Sequence, residues 1–310
     1  MIVQLLLLAL GFVLLVKGAD WFVEGAAGIA DKFGIPQLVI GLTIVAMGTS
    51  APEAAVSITA ALQGTADITV GNVVGSNIMN ILIILGLASV ITPIAVAKTT
   101  VRYEIPIMLL ITGLFLGLGA VDGALSLLDG ILLWVCFLGY LGYMLLMTKK
   151  GLMQAEEQEN TNRPLWLLII MGLAGMGLIV LGSNVTVDAA TALAKMFGMS
   201  ERFIGLTIVA LGTSLPELFT SVVAARKGKA DIAIGNIVGS NIFNILFVVG
   251  TSALITPVVF ASGFVADSIV AIGAGLLLWV CVLRKKKLTR PGGIVMLLSY
   301  AAYFAYLLIK

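Results

Sequence analysis

The chain contains no histidine, only two cysteines and few charges, with 11% of its 310 residues being Asp, Glu, Lys or Arg. Each shortage excludes something. Without histidine there is no His-based catalysis, no His metal ligand and no imidazole proton shuttle. Cys136 and Cys281 lie far apart within apolar runs, so they form neither a metal spacing nor a disulfide framework and read as small apolar fillers. A soluble domain carries about 25% charged residues, and less than half that supply cannot cover a globular surface. A net charge of +2 leaves no basic face for nucleic acid. Apolar residues are abundant instead: 60% of the chain is hydrophobic and 35 residues are glycine. The composition is that of an integral, all-α membrane protein.

Apolar stretches of about 20 residues are long enough to cross a bilayer as helices. Ten are present, at 2–23, 36–62, 68–91, 104–121, 125–147, 164–187, 200–226, 232–255, 264–283 and 292–309. The first has no basic n-region and no small-residue cleavage site, so it reads as a mature helix and not as a signal peptide. With ten spans, fifteen of the 18 Lys and Arg residues fall on one side, leaving only Lys195, Arg202 and Lys310 on the other. The basic side is cytoplasmic, which puts both termini outside. The Arg284–Arg290 cluster reads first as this topology signal, with anionic lipid headgroups as the alternative. Trp21, Trp134, Trp166 and Trp279 lie near span ends, as an interfacial belt requires.

Sliding the chain against itself by 164 residues reveals a duplication. Residues 41–86 and 205–250 are identical at 29 of 46 positions without a gap. Each half holds five spans, an odd number, so the second half must enter from the opposite side. The expected organisation is a first five-helix repeat over 1–147, a polar cytoplasmic linker over 148–163, and a second, inverted repeat over 164–310. Inverted repeats of this kind characterise secondary transporters, whose substrate sites lie near the midplane.

In each repeat a helix is interrupted by a matching hexapeptide, Gly48-Thr49-Ser50-Ala51-Pro52-Glu53 and Gly212-Thr213-Ser214-Leu215-Pro216-Glu217. Proline removes a backbone donor and glycine lets the chain bend. Carbonyls freed by the break, expected at Ala46, Thr49, Ala210 and Thr213, are tolerated only where buried or lining a cavity. Glu53 and Glu217 are the decisive residues. A charge at the bilayer centre costs roughly 2.5–3.5 kcal/mol even on the lenient insertion scale, and two related acids would also repel each other. A bound cation offsets both penalties. The partner helices carry Gly71-Asn72-Val73-Val74-Gly75-Ser76-Asn77-Ile78-Met79-Asn80 and its copy from Gly235 to Asn244. Their glycines read as helix-packing positions. Ser76 with Asn80, and Ser240 with Asn244, each share a helical face and read as ligands. Asn72, Asn77, Asn236 and Asn241 either support the ligands or tie helices together. Asp67 and Asp231 sit at helix starts, where they cap free N–H groups or guide ions inward. All the candidate ligands are oxygens, which suits Ca²⁺ and Na⁺ and serves Zn²⁺ or Cu⁺ poorly.

The paired GTSAPE and GTSLPE, each followed by GN(V/I)VGSNI(M/F)N, resemble the two α-repeats of the cation/calcium antiporter superfamily, and most closely its prokaryotic sodium/calcium exchangers. The resemblance implies ten helices and an antiporter in the cell membrane that exchanges Na⁺ for Ca²⁺. It needs no cofactor, and no obligate protein partner is evident beside the two ions and the lipid bilayer. It further implies that Glu53 and Glu217 ligate Ca²⁺ with the Thr49 and Thr213 carbonyls. Ala46, Ser50, Ser76, Ala210, Ser214 and Ser240 would help form flanking Na⁺ sites, and Asn80 and Asn244 would complete the central one. Some archaeal and potassium-dependent relatives carry Asp where this chain has Asn244, which argues against K⁺ co-transport here. Proton/calcium relatives usually read GNAxE at the hexapeptide, which favours Na⁺ as the driving ion. The alternatives are H⁺/Ca²⁺ exchange on the same scaffold and, further off, a cation channel. A hydrolase would need a base beside Ser50 or Ser214, and no His or Lys stands at that depth.

Overall fold

The computed structural model describes residues 1–149, 163–199 and 210–309. The helices are α1 (Ile2–Phe33), α2 (Gln37–Thr49), α3 (Ala51–Leu62), α4 (Ile68–Ile91), α5 (Thr100–Asp122), α6 (Leu127–Lys149) and α7 (Leu165–Met196). They are followed by α8 (Ala210–Thr213), α9 (Leu215–Arg226), α10 (Ala230–Ile255), α11 (Gly263–Leu283) and α12 (Arg290–Leu308). Among the described residues, eight helices are long and apolar enough to cross a membrane, and the α2–α3 pair makes a ninth. The span expected at 200–226 begins in residues 200–209, outside the described residues, and continues as α8 and α9. Most of the expected linker, residues 150–162, is likewise outside them.

The span expected as one helix over 36–62 is instead a broken pair, with α2 and α3 bent by 50°. The hinge is Ser50, at φ −82° and ψ 8°. Helical geometry fails there because Pro52, just inside α3, has no N–H to return to the preceding turn. α1 and α7 each run 32 residues, well past the ends expected at 23 and 187. At 1.5 Å per residue each is about 48 Å long, more than the hydrocarbon thickness, so they cross at a tilt. The apolar run in α1 gives way to Gly25, Ala26 and Ala27, which keep the helix going without adding hydropathy. It stops at Gly34, whose φ of 63° suits glycine and lets its N–H close onto Ala30 and Asp31.

α1 and α7 form the most extensive helix pair, and glycine is the reason. A Cβ on Gly175 would lie 2.5 Å from the Phe22 nitrogen and 2.7 Å from the Gly18 oxygen. One on Gly18 would meet the Gly175 oxygen at 2.8 Å, and one on Gly25 the Gly172 nitrogen at 2.7 Å. The two backbones therefore touch along a row of small residues, the packing that membrane helices use when lipid supplies no hydrophobic drive. Gly175→Ala forces them apart. We expect a loss of about 1–3 kcal/mol, read as a lower unfolding midpoint in detergent; an unchanged midpoint would show the contact is not tight.

Four two-residue strands pair crosswise between the halves. β1 (Ile94–Ala95) is antiparallel to β4 (Lys287–Leu288), and β2 (Ala124–Leu125) to β3 (Val258–Val259). Helix α5 separates β1 from β2, so the two ribbons lie at opposite ends of the bundle. α4 and α10 are the inner helices, whereas α12 is mostly exposed. The sorting follows polarity: α4 and α10 carry the Ser and Asn residues that lipid cannot solvate, while leucines such as Leu110 and Leu173 face outward. Of the tryptophans, Trp21 and Trp166 are exposed as a belt requires. Trp134 and Trp279 instead donate inside the protein, to Thr251 Oγ1 at 3.1 Å and the Val101 carbonyl at 2.8 Å. Cys136 and Cys281 are free and half-buried.

Candidate functional site

Glu53 and Glu217 each stand one residue beyond the proline of their break, in the first turn of α3 and of α9. Both are fully buried. Neither has a Lys or Arg within ion-pair distance among the described residues, and the Glu217 charge acts on Glu53. The hinge serines reach across the pseudo-symmetric pair. Ser50 Oγ donates to Glu217 Oε1 at 2.8 Å, and Ser214 Oγ donates to Glu53 Oε1 at 3.5 Å. Ser76 on α4 adds a donor to Glu53 Oε1 at 3.4 Å. The breaks thus bring both hexapeptides to one place, each serine serving the opposite acid.

Asn80 and Asn244 are fully buried where α4 and α10 each widen into a π-helical turn, Asn80–Leu85 and Asn244–Val249. Such turns recur at functional positions. The amide nitrogen of Asn80 donates to Asn241 Oδ1 at 3.0 Å, and that of Asn244 to Asn77 Oδ1 at 3.1 Å. With the nitrogens committed, the orientation of each amide oxygen is fixed. Asn80 Oδ1, Asn244 Oδ1, Glu53 Oε2 and Glu217 Oε2 are all buried and reached by no donor. A buried acceptor left unmatched costs roughly 1–3 kcal/mol, more when charged. Two carboxylate and two amide oxygens, all hard donors, are a set that a Ca²⁺- or Na⁺-like cation satisfies and that soft metals do not favour. Among the described residues no three His, Cys, Asp or Glu side chains gather elsewhere as a metal cluster.

The remaining candidates are placed unevenly. Thr49 is buried, its hydroxyl donating to Asn236 Oδ1 at 2.9 Å, and Ser240 Oγ donates to the Ala46 carbonyl at 3.4 Å. Ala46 is not freed by the break as expected, because its oxygen also accepts the Ser50 N–H at 3.0 Å. The residue that proline deprives lies four back: Gly48 for Pro52, Gly212 for Pro216. The Gly212 oxygen is taken instead by Ser183 Oγ at 2.7 Å, a partner on α7 that sequence reasoning missed. Thr213 is half-buried, and the backbone of Ala210 opens α8. A cavity of about 420 Å³ borders the site, with Asn72, Ser76 and Thr213 in its wall.

The four asparagines left open tie helices together, and two of them also support ligands, Asn241 holding Asn80 and Asn77 holding Asn244. Asn77 and Asn241 each donate to the other's backbone carbonyl at 3.1 Å. Asn72 donates to Ser57 Oγ at 2.9 Å and Asn236 to Ser221 Oγ at 3.0 Å, two serines not singled out from sequence. Asp231 lies in the first turn of α10, where an acid suits the helix dipole, but the cap position is Lys229 and no side-chain cap bond forms. The glycines behave differently in the two halves. A Cβ on Gly239 would lie 2.5 Å from the Leu42 oxygen, the close packing expected, whereas Gly71 meets nothing nearer than Phe264 at 3.5 Å. Most of the region matching α2 in the second half, residues 201–209, lies outside the described residues, and the rest is α8.

A helix broken at proline, its buried acid facing an equivalent acid from a second broken helix, within a bundle of membrane-length helices, defines a carrier of cations. The chain belongs to the sodium/calcium exchanger protein family, which it matches over residues 3–146 and 165–309. That places it in the cation/calcium exchanger superfamily, among membrane antiporters of calcium and sodium. It is 42% identical over 313 residues to CaxA of Alkalimonas amylolytica, covering 98% of both chains. It is 33% identical over 356 residues to the sodium/calcium exchanger MaX1 of Methanosarcina acetivorans, again covering 98% of both. Its fold superimposes on the sodium-calcium exchanger NCX_Mj with a TM-score of 0.86 at 33% identity, over 99% of each chain.

Proposed function

We propose that this chain exchanges Na⁺ for Ca²⁺ across a prokaryotic cell membrane by alternating access, both ions competing for Glu53 and Glu217. The observation that carries the reading is the set of four buried, donor-free oxygens on Glu53, Glu217, Asn80 and Asn244. The Thr49 and Thr213 carbonyls assist in the central site, and Ser50, Ser76, Ser214 and Ser240 with the Ala46 and Ala210 backbone hold flanking Na⁺. Ca²⁺ and Na⁺ need the same carboxylates, so they bind in turn. An unloaded carrier holds two unneutralised acids in low dielectric, which opposes its movement across the membrane; exchange follows without leak.

In this reading the two halves are inverted five-helix repeats, ten spans in all, with both termini outside and the linker in the cytoplasm. The crosswise strand ribbons, the reciprocal Asn77–Asn241 bonds and the crossed serine–glutamate bonds are what a two-fold axis in the membrane plane would generate. Lys227 meets Asp20 at 2.6 Å and Arg163 meets Glu24 at 2.7 Å, which agrees with both basic residues sharing the cytoplasmic side. α1 and α7, joined along their glycines and longer than the bilayer is thick, would slide together past the inner helices to expose the site first to one face and then the other.

The test is ⁴⁵Ca²⁺ uptake into proteoliposomes loaded with Na⁺, repeated with a proton gradient alone. Uptake that requires the Na⁺ gradient is the expected result. Uptake driven only by protons would keep the site and replace the counter-ion, and uptake with neither gradient would make the protein a channel.

A further inference from the structure

Three buried carboxylates among the described residues leave an oxygen that no donor reaches. Two belong to the site above; the third is Glu104. It is fully buried on α5, and only its Oε1 is engaged, accepting the Tyr143 hydroxyl of α6 at 3.0 Å. Its neighbours are unsatisfied too. Thr100, one turn earlier and fully buried, has a hydroxyl without a partner, and so does Tyr140, which is 6% exposed. Thr100 and Glu104 stand four apart in one helical turn, so they share a face. Tyr140 and Tyr143, three apart on α6, share the face that carries the bond to Glu104, and Tyr140 is within electrostatic reach of the carboxylate.

We propose that Glu104, Thr100 and Tyr140 form a second cation site, separate from the transport pocket, for a monovalent ion of the Na⁺ class. The donor set dictates the charge. One carboxylate balances one positive charge, and the hydroxyl oxygens add coordination without adding charge. A divalent ion would leave a surplus charge on these buried donors, because Asp231, the other acid that acts on Glu104, is only half-buried and outside the donor set, and that is costly. The position also gives the site a consequence. The Glu104 charge acts on Asp231, in the first turn of α10, the helix that carries Asn236, Ser240 and Asn244. An ion at Glu104 relieves the repulsion between the two acids and steadies the base of α10 against α5. Intracellular Na⁺ would thereby set the conformational balance of the carrier without being transported.

The test uses the full chain with the transport acids removed, E53Q/E217Q, so that the transport pocket is weakened and the Glu104 dependence of the remaining Na⁺ effect can be read. Unfolding midpoints are measured in detergent while NaCl replaces choline chloride at constant ionic strength. The expected result is a saturable rise of about 2–4 °C, the shift that ligand stabilisation of about 1 kcal/mol gives a chain of this order of size. The rise should vanish when Glu104→Gln is added and shrink when Tyr140→Phe is added. No Na⁺-specific rise in E53Q/E217Q, or a rise that survives Glu104→Gln, would overturn the proposal, as would a shift that follows pH but not Na⁺. Should Glu104→Gln not fold, Tyr140→Phe and Thr100→Val carry the same comparison. Failure of the transport reading is seen separately, as a wild-type Na⁺ and Ca²⁺ response that E53Q/E217Q leaves unchanged.

Discussion

Glu53→Gln should abolish Na⁺-dependent Ca²⁺ exchange, lowering the rate at least about 100-fold, and Glu217→Gln should do the same. The substitution keeps the size of the side chain but replaces a donor-free oxygen with an NH₂ group and removes one of only two negative charges. Breaking up a buried charge constellation by taking one partner costs about 3–5 kcal/mol, and each 1.4 kcal/mol is tenfold. Because the two acids act on one ion, the double variant should be scarcely worse than either single one, the non-additivity expected of residues sharing a partner. The serines make the fold-level control possible. Ser50 and Ser214 can donate to the glutamine oxygen as they do to the carboxylate, so the bundle should remain folded. ⁴⁵Ca²⁺ flux together with calorimetric Ca²⁺ binding decides it: exchange at normal rates in Glu53→Gln would sink the central assignment.

Asn241→Ala should weaken the fold by about 2–5 kcal/mol. Asn241 donates to the Asn77 carbonyl at 3.1 Å and accepts the Asn80 amide at 3.0 Å, in a fully interior setting. Alanine leaves both partners stranded, at about 1–3 kcal/mol each. The second loss reaches the site, since the Asn80 amide would no longer be held and its donor-free oxygen would no longer be fixed. The unfolding midpoint should therefore fall and Ca²⁺ affinity should weaken together. Asn77→Ala, its counterpart, should behave alike through Asn244. A variant that lost stability but bound Ca²⁺ normally would separate the tie from the site.

Much of the site is readable as a string because its causes are local or repeated. Pro52 and Pro216 announce a helix break wherever they fold, and an acid in a 20-residue apolar run is conspicuous without coordinates. The 164-residue offset that aligns Glu53 with Glu217 is a property of letters alone. The asparagines were harder. Spacing puts Asn80 on the Ser76 face as a ligand and leaves Asn72 and Asn77 open; only the opposite helix shows that the Asn80 oxygen has no donor and that the Asn77 amide bridges the halves. Ser183 gave no signal at all, because its role depends on a carbonyl 29 residues away that Pro216 leaves unserved. The extension of α1 to Phe33 escaped a reading based on hydropathy, since Gly25, Ala26 and Ala27 continue a helix by packing against α7 and not by facing lipid.

The sequence by itself thus determined that this is a membrane protein, that it is a duplication, that two proline-broken helices each carry an acid, and that oxygen ligands suited to Ca²⁺ and Na⁺ accompany them. Those features follow from composition and spacing, which are one-dimensional. Only the tertiary structure decided that Ser50 serves Glu217, that β1 pairs with β4 instead of its own neighbour β2, that the amide oxygens of Asn80 and Asn244 have no donor, and that Glu104 shares their condition. Each of these is set by which groups meet across the bundle. A hydrogen bond satisfied or left open depends on a partner such as Asn241, which stands 161 residues from Asn80 in the chain and 3.0 Å from it in space.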